Sequence, residues 1–183
     1  MSRLPRVNRE DLSPENQAVW DRIAAVRAGM RQGTGGPYGV LIHVPALADR
    51  AAALEDYFRF NASLPEVDRE LVILAAAREM GARYAWVRHE ARARQVGVRA
   101  EAIETVRARG SLEGLTPHER LLVEIVHSLL RERKLTDALF AGALAELGRE
   151  RLVETVALVG HYGLIGLVLN AFEVAPPDDS PTF

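Results

Sequence analysis

Residues 70–96 read ELVILAAAREMGARYAWVRHEARARQV, and the reading of this stretch decides the fold. At about 100° per residue, Val67, Glu70, Leu71, Leu74 and Ala77 share one side of a first helix. Ala82, Ala85, Trp86, His89, Ala93 and Val96 share one side of a second, with Arg83, Glu90 and Arg94 opposite. Gly81 stands between the two runs and predicts a tight helical hairpin. A carboxylate, Glu70, and an imidazole, His89, interrupt faces that are otherwise apolar. Burying unpaired polar groups is costly, so both require partners. A lone inward histidine is usually a satisfied core residue. An inward glutamate is rarer, and the two together make a candidate acid–base pair.

Helical patterning continues on both sides. Residues 1–12 read as an extended arm, and Ser13-Pro14-Glu15 opens a helix with an N-cap, a first-turn proline and an acid. Gly33-Thr34-Gly35-Gly36-Pro37 reads as a loop. It lacks a Gly-Lys-Ser/Thr ending and a preceding strand, so it fits neither phosphate-binding fingerprint. VLIHVP (40–45) has no second strand to pair with and reads as a buried entry into a helix that starts near Pro45. That helix, 46–62, is expected to turn Leu47, Ala51, Leu54, Phe58 and Ala62 inward. Thr116-Pro117-His118-Glu119 is a capping box. His118 and His127 read as structural or solvated. Thr136-Asp137 opens a further helix closed by Gly148.

A final helix, about Glu150 to Phe172, is apolar nearly all round, and from Thr155 onward its only ionisable side chains are His161 and Tyr162. It is borderline for a membrane span. The amphipathic helices before it need an apolar element to pack on, so a buried helix with a share in a subunit interface is the better reading. Gly160, Gly163 and Gly166 predict close helix contact. The expected fold is all-α, a single domain of about seven to eight helices with no sheet. Its core covers about 35–173, and a flexible tail covers 174–183.

Composition narrows the chemistry. With 48% hydrophobic and 26% charged residues, the 183-residue chain has the make-up of an ordinary globular domain. A formal charge of −2 provides no net field for nucleic acid or anionic lipid. The arginines at 83, 88, 92, 94 and 99 are interrupted by Glu79, Glu90 and Glu101 and read as a solvated helix face. There is no cysteine, which excludes disulfides, thiolate metal sites and thiol nucleophiles. A cytoplasmic address is the default expectation. The five histidines include no i, i+4 pair and no HExxH, and no nucleophile elbow occurs. No metal or other cofactor is expected.

The hairpin resembles the carboxymuconolactone decarboxylase and alkylhydroperoxidase D superfamily. The peroxidase branch of that superfamily carries a Glu, then Cys-x-x-Cys-x-x-x-His at the start of the next helix. Laid on His89, the pattern places its cysteines at Ala82 and Ala85 and its glutamate at Glu70, so the frame is kept and both thiols are replaced. GGPYGVLIHVPALADR (35–50), FRFNASLP (58–65) and LVETVALVGHYGLIGLVLNAF (152–172) resemble the flanking segments. The decarboxylase branch, which works without a cysteine pair, is the natural parallel.

The resemblance implies a cofactor-free lyase, decarboxylase or isomerase acting on a small organic acid or lactone through Glu70 and His89. It also implies a homo-oligomer, since the family forms trimers and hexamers. A pocket lined by Trp86, Ala82 and Ala85 is expected, with Arg59, Arg88 and Arg92 as candidates for holding a substrate carboxylate. The N-terminal arm and first helix exceed the family pattern and are expected to cap that pocket. A non-enzymatic oligomeric scaffold or small-molecule binder is the competing class. A cavity that reaches both Glu70 and His89 separates the two.

Overall fold

The computed structural model describes residues 2–27, 35–176 and 182–183. Among these residues there are eight α-helices and no strand. They are α1 (Pro14–Val26), α2 (Gly36–Leu41), α3 (Pro45–Phe60), α4 (Glu66–Glu79), α5 (Arg83–Val96), α6 (Ala100–Ala108), α7 (Pro117–His127) and α8 (Asp137–Ala171). Local signals set their ends. Ser13 Oγ accepts from Asn16 N at 3.4 Å at the start of α1. The capping box of Thr116 and Glu119 starts α7. Gly148, at φ 74°, breaks α8 in two where a helix end was expected.

The helix enclosed on every side is α4. Its residues from Asp68 to Ala77 are all buried, and α5, α6, α7 and α8 pack around it. It ends in a Schellman turn, with Gly81 N bonded to Arg78 O at 3.2 Å and Ala82 N to Ala77 O at 2.8 Å. That turn needs a left-handed residue, which Gly81 supplies at φ 65°. The chain therefore reverses at once, and α5 lies back along α4.

Several expectations are corrected. Gly36 to Leu41 is a short helix rather than loop and irregular entry, and it buries Tyr38, Val40 and Leu41. Residues 28–34, including Gly33 and Thr34 of the glycine run, lie outside the described residues. In α3 the inward face is Ala48, Ala51, Ala52 and Phe58, while Leu47 and Leu54 are exposed. Val67 is exposed as well. Of the three glycines late in α8, only Gly166 is forced small: a Cβ there would lie 2.8 Å from Met80 Cβ.

Helix α8 is long and apolar enough to cross a bilayer, yet 56% of its most apolar window is buried inside the domain. Its inward face holds Glu154, Leu158, His161, Tyr162 and Ile165, whereas Val153 and Leu167 are 67% and 63% exposed. The N-terminal arm runs back to the end of α8, with Arg3 N bonded to Phe172 O at 2.9 Å. Of the tail, residues 177–181 lie outside the described residues. Its last residue docks on the body of the protein: the Phe183 ring meets Trp86 edge-on at 5.4 Å, and the Arg78 guanidinium lies 4.3 Å from its centroid.

Candidate functional site

The α4–α5 hairpin places Glu70 against His89. Glu70 Oε2 lies 2.7 Å from His89 Nδ1, and Glu70 is 1% exposed. Its other oxygen, Oε1, lies 3.0 Å from Arg92 Nε and 3.6 Å from Arg69 Nε. Burial pushes the Glu70 carboxyl upward. The hydrogen bond from His89 and the positive charges of His89, Arg92 and Arg69 outweigh that push and hold it below the ordinary carboxylate range. An ionised carboxylate only accepts, so Nδ1 of His89 carries the hydrogen between them.

The second ring nitrogen is also engaged. Tyr162, on the inward face of α8, places its hydroxyl 2.9 Å from His89 Nε2. The two rings meet edge-on at 5.1 Å. Burial, then the nearby carboxylates Glu55 and Glu70, push the Tyr162 phenol well above its ordinary value. Glu70, His89 and Tyr162 thus form one hydrogen-bonded row across three helices.

This row forms one wall of a cavity of about 340 Å³. Ala85, Arg88 and Arg92 continue the wall along α5. The lining also includes Arg27, Tyr38, Glu55 and Arg59. There Tyr38 donates to Glu55 Oε2 at 2.7 Å, and Arg27 lies 4.4 Å above the Tyr38 ring while its Nη2 meets Asp56 Oδ1 at 2.8 Å. Burial pushes the Tyr38 phenol upward, and the Glu55 charge adds to this. Among the described lining residues, five arginines face two glutamates, so the cavity favours an anion. Arg88 makes no hydrogen bond or ion pair to another described residue.

The residues named from sequence divide accordingly. Glu70, His89, Ala85, Arg59, Arg88 and Arg92 line the cavity. Trp86 and Ala82 do not. On the α5 wheel, Trp86 stands about 60° round from His89. It is 0% exposed, and its Nε1 donates to Glu90 Oε2 at 2.8 Å, facing α6 and Phe183. Ala82 is sealed beneath the hairpin turn, beside Gly166 of α8. The arginine face is solvated only in part, since Arg88 and Arg92 border the cavity. The first helix does reach the cavity, through Val26 and Arg27, whereas no described residue of the arm lines it.

His118 and His127 stand apart from this site: His118 bridges Asp68 and Glu146, and His127 lies 3.6 Å from Glu79. Among the described residues no group of three or more His, Asp or Glu is placed to hold a metal ion. The sequence reading missed Tyr162 as a partner, although it is one of two ionisable groups in the apolar run from Thr155 onward. Arg27, Tyr38 and Glu55 were missed outright, since no local period joins them.

The carboxymuconolactone decarboxylase family model matches residues 45–128, and this span includes the whole α4–α5 hairpin. That segment supplies Arg59, Glu70, Ala85, Arg88, His89 and Arg92, while Arg27, Tyr38 and Tyr162 come from outside it. The whole chain has an alkylhydroperoxidase AhpD-like fold. The crystal structure of the alkylhydroperoxidase AhpD core of an uncharacterized peroxidase-related protein from Ralstonia eutropha JMP134 superposes with a TM-score of 0.76. The match covers 97% of this chain and 93% of that one at 22% identity, a likeness of fold. No curated protein matches the chain.

Proposed function

We propose that this protein is a cofactor-free acid–base lyase, of decarboxylase or isomerase type, acting on a small organic acid or lactone. One observation carries the reading. A buried, ionised Glu70 is bonded at 2.7 Å to His89 at the wall of a cavity in which arginine outnumbers carboxylate. The cavity holds the substrate anion among Arg59, Arg88 and Arg92, and Arg is suited to grip a carboxylate in bidentate fashion. Glu70 accepts the Nδ1 hydrogen of His89 and so fixes its tautomer. The row then supplies the proton that an enolate needs after carbon dioxide or another group leaves.

Ala82 and Ala85 stand where the peroxidase branch has thiols, so dithiol-dependent turnover of organic peroxide is expected to be absent. The cavity reaches both Glu70 and His89, which favours the enzyme over a scaffold or binder that has lost its chemistry. We further propose that the chain works in the cytoplasm as a homo-oligomer. The exposed apolar residues Val153, Leu164 and Leu167 along α8 support the self-association.

The test is carbon dioxide release and proton uptake from a panel of small lactone and keto acids, carboxymuconolactone first among them. Turnover that disappears in E70Q and in H89N is the expected result. Turnover unchanged in both variants refutes the reading.

A further inference from the structure

Neither ring nitrogen of His89 is free to meet a ligand. Nδ1 is bonded to Glu70 Oε2 at 2.7 Å, and Nε2 to the Tyr162 hydroxyl at 2.9 Å. The Glu70 carboxylate accepts the Nδ1 hydrogen, so Nε2 either accepts from Tyr162 or, in the imidazolium, donates to it. In both states the Tyr162 hydroxyl stands at the end of the row, and Tyr162 is among the residues that line the cavity. We propose that Tyr162, and not His89, presents the reacting proton to the bound substrate, and that the ligand atom it meets is the oxyanion of an enolate. The inference rests on the acid–base reading given above.

Three features make Tyr162 suited to this role. Its ring is buried on α8 and set edge-on to His89, which holds the hydroxyl in one place. Its environment keeps the phenol protonated through the neutral range, so the group is a donor and not a competing anion. His89 keeps part of its side chain in solvent, at 22% exposure, and has a route to regain a proton.

The step balances for a decarboxylation. The bond to the leaving carboxylate breaks, its electron pair enters the enolate, and carbon dioxide departs. The Tyr162 O–H bond then breaks as its proton passes to the enolate. The phenolate oxygen takes the Nε2 proton of the His89 imidazolium, and His89 takes one from solvent. One solvent proton is consumed for each carbon dioxide released.

4-Nitrophenol is the probe, because its coloured phenolate mimics a planar enolate and needs no turnover. The unsubstituted protein should bind the phenolate, and Y162F should weaken that binding by about tenfold or more, the effect of losing a hydrogen bond to a charged group. H89N keeps the hydroxyl and should weaken it by no more than about threefold. Equal losses in Y162F and H89N mean that Tyr162 only orients the ring, and they overturn the proposal. So does an unsubstituted protein that binds no phenolate.

A second measurement needs no substitution and stands if Y162F does not fold. Saturating phenolate should draw the hydroxyl away from His89, and the ¹⁵N resonance of Nε2 should move towards that of an unbonded acceptor. An unmoved resonance in the saturated complex also refutes the claim. Turnover indifferent to E70Q and H89N would remove the acid–base reading, and it is measured separately from phenolate binding.

Discussion

Glu70 and Glu154 are both glutamates sealed within this helical domain, 1% and 4% exposed, and they are held in opposite ways. Glu154, on α8, accepts from Tyr57 Oη at 2.6 Å, Ser63 N at 3.0 Å, Ser63 Oγ at 2.9 Å and Leu64 N at 3.0 Å. Burial pushes its carboxyl upward, but those bonds together hold it below the usual range. All four donors are uncharged, two are backbone, and none belongs to the cavity wall. Glu70 is held by an imidazole and two guanidinium groups and faces the cavity. A carboxylate satisfied by neutral donors locks the α3–α4 turn to α8 and has no proton to trade. One satisfied by a titratable partner keeps a proton in play. Burial is shared by both, and the chemistry of the partners separates them.

The largest expected effect tests that separation at Glu70. E70Q should lower turnover by about 10²- to 10⁴-fold, the range for losing a general acid–base group. Its effect on stability should be about 1–2 kcal/mol, because the amide oxygen still accepts from His89 while the amide nitrogen no longer accepts from Arg92 and Arg69. Turnover assays and urea melts on the same preparation check both halves. A variant that keeps its activity puts Glu70 in the same class as Glu154.

E154A should show the reverse. It strands Ser63 N, Leu64 N and the Tyr57 hydroxyl together, and stability should fall by about 3 kcal/mol. At low temperature the folded fraction should retain turnover, since none of those groups touches the cavity. A loss of activity with stability unchanged would reverse the assignment of the two glutamates.

The hairpin that carries Glu70 and His89 was legible from one dimension because both residues interrupt strong apolar periods and Gly81 dictates the reversal. The expectation about Trp86 failed for a geometric reason. A helical wheel gives a half-circle of inward positions, and about 60° within it separates the cavity from the α6 contact. Glu154 lies in the same helix as Tyr162, and its three partner residues, 90 or more positions away, have no sequence signature. Tyr162 left only a faint one, an ionisable group in an apolar run. Arg27, Tyr38 and Glu55 meet through the packing of α1, α2 and α3, and no local pattern encodes that meeting. The Phe183 contact with Trp86 was hidden because a polar, proline-rich tail reads as flexible wherever its last residue docks.

A further prediction turns to the outward face of the helix that holds Glu154 and Tyr162. L167E places a charge in the exposed apolar stripe with Val153 and Leu164, and it leaves the inward face untouched. Light scattering should show the unsubstituted protein at a multiple of its 20.2 kDa chain mass and L167E shifted towards one chain, with helical circular dichroism preserved. An unsubstituted protein that runs as a single chain at micromolar concentration refutes the self-association.

The smallest effect belongs to a third carboxylate arrangement, in which a histidine again partners acids but lies outside the cavity. His118 Nε2 lies 3.0 Å from Asp68 Oδ2 and Nδ1 lies 3.1 Å from Glu146 Oε1, tying the start of α7 to α4 and α8. Burial pushes the His118 imidazole downward, while the hydrogen bonds and charges of Asp68 and Glu146 outweigh it and raise it above its ordinary value. A folded value above the unfolded one, about 6.5, means that the protonated form is favoured by folding. That stabilisation is complete below the unfolded value and is lost as pH rises through the folded one. The side chain is 37% exposed, so solvent limits the gain to about 0.5 kcal/mol. H118Q should therefore cost more stability at about pH 6 than at about pH 9, with turnover on the lactone acids unchanged at both. Urea melts at the two pH values decide the matter, because a larger cost on the alkaline side would mean that His118 is held neutral and that its two carboxylate contacts contribute nothing to the fold.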